Sequence, residues 1–200
     1  MQQSPYGGVF GANGFAGVSI TSIVNPTRTY NGVGGGFDLF GSDGIGRITA
    51  FCIDIAQYLN LSAPYTTSTT LATFPSSRAA MLERLFETGY SGLDLTDNTN
   101  SAGFQLAIWE IAFESGPTYD INDGNFQSNL NSSTDAATGF AKTLLAGRGG
   151  PITQNYALNF YLSDGSQDLV SVAAVPLPAA GFLLMAGLGG LAALRRKRKA

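Results

Sequence analysis

The sequence predicts an α+β fold in which strands come first, a helical insert follows, and strands return. Three observations carry this reading. Runs rich in β-branched and aromatic residues, such as 17–24 and 47–55, are short and separated by glycine-rich punctuation. Residues 75–147 switch to helical spacing, and 153–162 and 167–172 revert to strand composition. The strands are expected to build a sandwich or barrel-like body around the insert, giving one domain over residues 1–170. Residues 171–200 form a separate segment ending in a transmembrane helix.

Each element has a local cause. Gly32, Gly34, Gly35, Gly36, Gly41, Gly44 and Gly46 match no phosphate-loop spacing and are followed by no lysine, so hairpin turns are the expected use. Pro75-Ser76-Ser77 opens a helix that places Leu82, Leu85 and Phe86 on one face and stops at Gly89. A second helix is expected over residues 102–114, capped by Asn100 or Ser101. A third lies within 134–146, ahead of the breakers from Gly147 to Pro151. The turn Ser163-Asp164-Gly165-Ser166 separates the last two strands.

Composition narrows the function. The 200 residues are 44% hydrophobic but only 12% charged, with 26 glycines, which suits a turn-rich extracellular protein. Five of the 11 basic residues stand together as Arg195, Arg196, Lys197, Arg198 and Lys199; the remaining six face 14 acidic residues, leaving the body at −8. An acidic body has no groove for phosphates, and nucleic acid is not an expected partner. The absence of histidine removes the commonest general base, the commonest metal ligand and every His-activated nucleophile. No metal and no cofactor are expected.

The C-terminal segment is read from three features. Residues 179–194 are uncharged and apolar, enough for a helix about 24 Å long at about 1.5 Å per residue. That is short of a hydrocarbon core of roughly 30 Å, so its flanks must help it span. The basic run that follows should remain cytoplasmic, which puts the acidic body across the membrane. Ahead of the span, Val175-Pro176-Leu177-Pro178-Ala179 carries two prolines that hold the backbone extended. This order of motif, short apolar helix and basic terminus resembles the PEP-CTERM sorting signals of Gram-negative bacteria, in the VPLPA variant. The resemblance implies processing by a membrane enzyme of the exosortase type. It implies transient anchoring in the inner membrane and delivery to the cell surface or extracellular matrix. It also implies a secretory leader, which Met1-Gln2-Gln3-Ser4-Pro5-Tyr6 does not contain, so an upstream start or a removed segment is expected.

One pair of residues carries chemistry. Cys52 is the single cysteine and lies in the strand-like Phe51-Cys52-Ile53-Asp54-Ile55. An exported protein cannot use a lone cysteine for an internal disulfide. Gln105 lies in Phe104-Gln105-Leu106-Ala107-Ile108-Trp109, where helical spacing groups it with Ile108, Trp109 and Ala112 in an apolar stripe. A buried carboxamide must satisfy two donors and an acceptor. Condensing the thiol with the amide carbonyl, with loss of ammonia, resolves both oddities and leaves a thioester. Gln57, Gln127, Gln154 and Gln167 sit in no comparable stripe.

The order Phe51-Cys52-Ile53, then Leu85 to Tyr90, then Phe104 to Trp109 resembles bacterial surface thioester domains over residues 45–147. In that family an internal Cys–Gln thioester is attacked by a nucleophile on a target surface. The resemblance implies that Cys52 is the leaving group and Gln105 the acyl electrophile, opened by an amine or hydroxyl. Trp109 would shield the bond, and Asp54 or Glu110 could take a proton. The event is single-use, so the chain is not an enzyme.

Two weaker signals are set aside. Asp120-Ile121-Asn122-Asp123-Gly124-Asn125 starts like a calcium loop, but Asn131 stands where the closing glutamate belongs. Asp94, Asp97, Glu110 and Glu114 have no spacing that requires a glycosidase pair. The expected function is therefore a surface-sorted covalent adhesin. The alternatives are a structural matrix or biofilm protein without a reactive bond, and a carbohydrate-binding module using exposed Tyr and Asp residues.

Overall fold

The computed structural model describes residues 2–3, 8–23, 28–41, 46–71, 74–114, 118–128, 135–152 and 155–174. The sorting motif at 175–179, the apolar span and the cations at 195–199 lie outside the described residues. Among those described, no helix is long and apolar enough to cross a membrane.

Among the described residues the architecture is α+β, with two antiparallel sheets and three helices. In chain order the elements are β1 (Gln2–Gln3), β2 (Phe15–Ile23), β3 (Arg28–Gly35), β4 (Phe37–Gly41), β5 (Gly46–Cys52), β6 (Thr66–Ser68), α1 (Ser76–Gly89), α2 (Asn98–Phe113), β7 (Phe126–Ser128), α3 (Asp135–Gly147), β8 (Tyr156–Leu162) and β9 (Leu169–Ala174). One sheet has the order β1-β4-β5-β9-β8-β6 and the other β3-β2-β7. Neither order closes on itself among the described residues, so the barrel-like alternative gives way to two open sheets.

The glycines at 32–35 depart from the expected turns. They belong to strand β3, where Gly34 pairs with Ala16 and Gly32 with Val18. Their use is close approach: a Cβ on Gly34 would stand 3.1 Å from Val18 Cγ1 and 3.5 Å from both Gln105 Cγ and Trp109 Cζ3. Gly41 and Gly46 do flank the β4–β5 connection, and Gly46 has a φ of 74°.

Helix α2 also departs from the expected stripe, because residues 101–112 are buried without a break. A helix apolar on nearly every face is stable only where neighbours cover it all round. Here β2, β3 and β7 of the smaller sheet, β5 of the larger one, α1 and α3 supply that cover. The helix starts earlier than expected, with Asp97 as the cap accepting from Asn100 N–H at 2.8 Å. Ser101, expected as a cap, instead accepts Gly36 N–H at 2.9 Å and links α2 to the β3–β4 connection.

Helix α1 buries Leu82, Leu85 and Phe86, the expected face. With Phe51 and Phe104 its Phe86 forms an aromatic cluster, in which Phe51–Phe104 and Phe86–Phe104 centroids are each 5.0 Å apart. This cluster fixes the end of β5 relative to α2.

Gly103 sets the approach of α3 to α2. Its missing Cβ would lie 2.8 Å from the Ala137 carbonyl oxygen and 2.8 Å from Phe140 Cδ1. Alanine is favoured over glycine in a helix by about 1 kcal/mol, but a backbone carbonyl cannot move aside. Gly103→Ala is therefore expected to destabilise the fold by about 1–3 kcal/mol, the usual cost of overpacking. Chemical denaturation would check this; an unchanged or raised midpoint would show that the helices separate freely.

Candidate functional site

The site begins where β4 stops. The β4–β5 ladder ends at Phe37–Ala50, whereas β5 continues to Cys52 beside Leu169 of β9. On the β9 side the ladder goes on from Ile53 N–H to Asp168 O at 2.9 Å. The Cys52 peptide groups thus face past the end of β4, where no strand receives them. Gln105 does: its Oε1 accepts Cys52 N–H at 2.9 Å and its Nε2 donates to Cys52 C=O at 2.7 Å. The carboxamide stands in for a strand residue, and both groups are buried, at 1% exposure each.

The two residues singled out from the sequence, 53 positions apart, are therefore in contact. The contact is between the Gln105 amide and the Cys52 backbone. The thiol donates to Asp54 C=O at 2.8 Å. Burial pushes the Cys52 thiol well up from its ordinary value; the Trp109 indole and the Asp54 carbonyl pull it partly back, while the charges of Asp54 and Asp168 push it further up. Burial thus favours the neutral thiol over the thiolate.

A cavity of about 260 Å³ opens onto the pair. Phe10, Tyr30, Phe37, Tyr58 and Leu59 line it together with Cys52, Gln105, Trp109 and Gln167, and no charged side chain among the described residues does. Tyr58 is 87% exposed at its mouth, while Trp109, one helical turn beyond Gln105, is 2% exposed. Tyr30 meets the Trp109 ring edge-on at 5.9 Å and 72°. Tyr30, Tyr58, Gln167 and the β3 glycines had no motif of their own. The packing of β3 over α2 brings Tyr30 and the glycines here, while Tyr58 comes from the segment after β5 and Gln167 from the β8–β9 connection.

The two carboxylates expected to assist are placed otherwise. Asp54 lends its backbone carbonyl to the thiol, while its side chain accepts Ala56 N–H at 2.6 Å and Gln57 Nε2 at 3.4 Å in a local turn. Glu110 does not line the cavity. It is fully buried near Glu114, Asp120 and Arg148, and neither of its oxygens has a hydrogen-bond partner among the described residues. Helical geometry explains this, since five residues beyond Gln105 is a different face of α2. The calcium-like segment closes local turns: Asp120 Oδ1 accepts Asn122 N–H at 3.2 Å and Asp123 Oδ1 accepts Gly124 N–H at 2.9 Å.

No family model matches this chain, and no curated protein sequence matches it. Similar solved structures include these two. One is the N-terminal thioester domain of a surface protein from Clostridium perfringens, with 12% identity and a TM-score of 0.45 over 80% of this chain and 99% of that one. The other is the N-terminal domain of the Streptococcus pyogenes pilus tip adhesin Cpa, with 18% identity and a TM-score of 0.46 over 88% of this chain and 98% of that one. Scores this low do not establish a common fold.

Burial, and then the charges of Glu114 and Asp120, push the Glu110 carboxyl up from 4.5 to about 8. The folded protein holds this proton to higher pH than the unfolded chain does. Its contribution to stability is complete below about 4.5 and is lost as pH rises toward about 8. Glu110→Gln should flatten that decline and raise the melting temperature at pH 9, at roughly 2–4 °C for each kcal/mol recovered. Parallel decline of variant and parent between those pH values would remove Glu110 as the cause.

Proposed function

We propose that this chain is an exported surface protein that attaches covalently to a target through a thioester between Cys52 and Gln105. The observation that carries the reading is the seating of the Gln105 carboxamide on the peptide of Cys52, at the floor of an aromatic cavity. Two hydrogen bonds fix the carboxamide on the residue that bears the thiol, and that supports the reading because proximity supplies much of the rate of a condensation between weak partners. The Cys52 N–H on Oε1 is a donor where negative charge develops as the carbonyl carbon becomes tetrahedral.

In the forming step the Cys52 sulfur bonds to Gln105 Cδ, the Cδ–Nε2 bond breaks, and the thiol proton leaves with the nitrogen as ammonia. The 2.7 Å bond from Nε2 is given up and the 2.9 Å bond to the acyl oxygen is kept. In the opening step an amine or hydroxyl of the target attacks Cδ and the C–S bond breaks. The nucleophile's proton passes to sulfur, so the products are an amide or ester and a free thiol. With no charged group in the lining, an incoming amine is favoured in its neutral, nucleophilic form. Gln105 is consumed, so the protein acts once and is not a catalyst.

The address comes from the C-terminal segment. The residues that follow β9 serve as a sorting signal: Val175 to Ala179 is read by an exosortase-type enzyme after the apolar stretch and Arg195 to Lys199 have anchored the chain in the inner membrane. The domain that ends with β9 is then delivered to the surface or matrix of a Gram-negative bacterium. A second reading, a matrix protein without a reactive bond, draws on the same hydrogen bonds, since an intact Gln105 already satisfies the Cys52 peptide.

Intact mass decides between the two. The purified chain is expected to weigh one ammonia less than its sequence, and methylamine should add its own mass to that species. Cys52→Ala should have full mass, and Gln167→Ala should behave as the parent. A parent of full mass whose thiol is alkylated after denaturation would leave the matrix reading.

A further inference from the structure

Strand β3 is an edge strand. It pairs with β2 from Phe15–Gly35 to Ile20–Tyr30, and no strand among the described residues lies on its other side. In an antiparallel ladder alternate residues turn their N–H and C=O groups outward, so this edge presents peptide donors and acceptors at strand spacing. Thr29, Asn31, Gly32 and Val33 are exposed. Folded proteins usually guard such an edge with charge or proline. The stretch from Thr29 to Gly35 contains neither.

A groove runs along the same edge. The aromatic cavity and a second one of about 100 Å³ share Tyr30 and Tyr58 as walls. Residues of β3 from Thr29 to Gly35 stand on one side, and residues between Ile55 and Leu59 on the other. Neither side carries a charged residue. The larger cavity opens onto Cys52 and Gln105. A groove walled by a strand edge is matched by an extended chain, whose own N–H and C=O groups pair with that edge. A sugar or a lone amine has no such row of groups to offer.

We infer that β3 is a docking edge for an extended polypeptide segment, which adds as a strand beside residues 29–33 and lays one side chain into the cavity over Gln105. The docking stands by itself, while delivery of that side chain as the nucleophile rests on the acyl chemistry proposed above. Side chains of an added strand alternate between the two faces of the sheet. One of those faces is the side on which Gly34 lies over Gln105 and Trp109. Every second side chain of the guest therefore points into the groove, where the uncharged lining favours small or apolar neighbours around the reactive one. The reactive amine or hydroxyl bonds to Gln105 Cδ, the C–S bond breaks, and its proton passes to the Cys52 sulfur.

The test uses the full chain and an acetylated, amidated peptide in which threonine and valine alternate on either side of a central lysine. About seven residues suffice to follow the exposed edge at about 3.3 Å per residue. N-acetyl-lysine methylamide supplies the same amine without a strand. The peptide should open the thioester faster than the single residue by on the order of tenfold, because docking raises the local concentration of the amine. Two further peptides, N-methylated at one or the other alternate set of backbone nitrogens, each block one edge of the guest strand. One should fall to the rate of the single residue and the other should keep the gain. Equal rates for the peptide and the single residue, or for the two methylated peptides, would overturn the inference.

Docking is read separately in Cys52→Ala, which cannot form the thioester. There the unmethylated peptide should shift the amide resonances of residues 29–33 and slow their hydrogen exchange; unmoved resonances exclude β3 as the docking edge. A parent of full mass would remove the acyl chemistry and leave this measurement intact. That parent, or the methylamine-opened chain, replaces Cys52→Ala if the variant does not fold. Cellohexaose moving the same resonances where the peptide does not would overturn the inference in favour of a carbohydrate groove.

Discussion

A strand that outruns its neighbour creates the constraint on which this molecule is organised. Beyond Ala50 the peptide of Cys52 has lost β4, and its N–H and C=O would be orphaned in the core were the carboxamide of Gln105 not there to receive both. Only a side chain with a donor and an acceptor at fixed separation does this, so asparagine's shorter reach or glutamate's missing donor would leave one group unpaired. The same two bonds hold α2 against β5 and place a potential electrophile on the residue that carries the thiol. A structural need and a chemical opportunity are met by one contact.

That contact depends on how closely the layers approach. Gly34 lets β3 lie over Gln105 and Trp109, Gly103 lets α3 lie on α2, and Gly36 leaves room for the Phe51 ring at 3.1 Å. The glycines are placed where a neighbouring side chain or backbone occupies the space a Cβ would need. The result is a central helix covered on all sides, whose buried polar groups each require a specific answer. Ser101 finds Gly36 N–H and Gln105 finds Cys52. Glu110 is answered by keeping its proton.

The electrostatics of the cavity differ from those of a hydrolytic site. There is no histidine in the chain, and no charged side chain among the described residues reaches the lining. Desolvation favours the protonated thiol and would disfavour ammonium in the same cavity.

The sequence by itself determined the order strands, helices, strands, the buried face Leu82-Leu85-Phe86 of α1 and the singularity of Cys52. These follow from local periodicity, from glycine and proline punctuation and from residue chemistry, all of which are written along the chain. What only the tertiary structure decided was which groups of the pair touch, why the β3 glycines are strand residues, and that Asp54 and Glu110 turn away from the cavity while Tyr30, Tyr58 and Gln167 line it. A glycine's use as a turn or as a close contact depends on what packs opposite it. The neighbours of a helix covered on every face are likewise set by which elements surround it. Neither is encoded within any short stretch of residues.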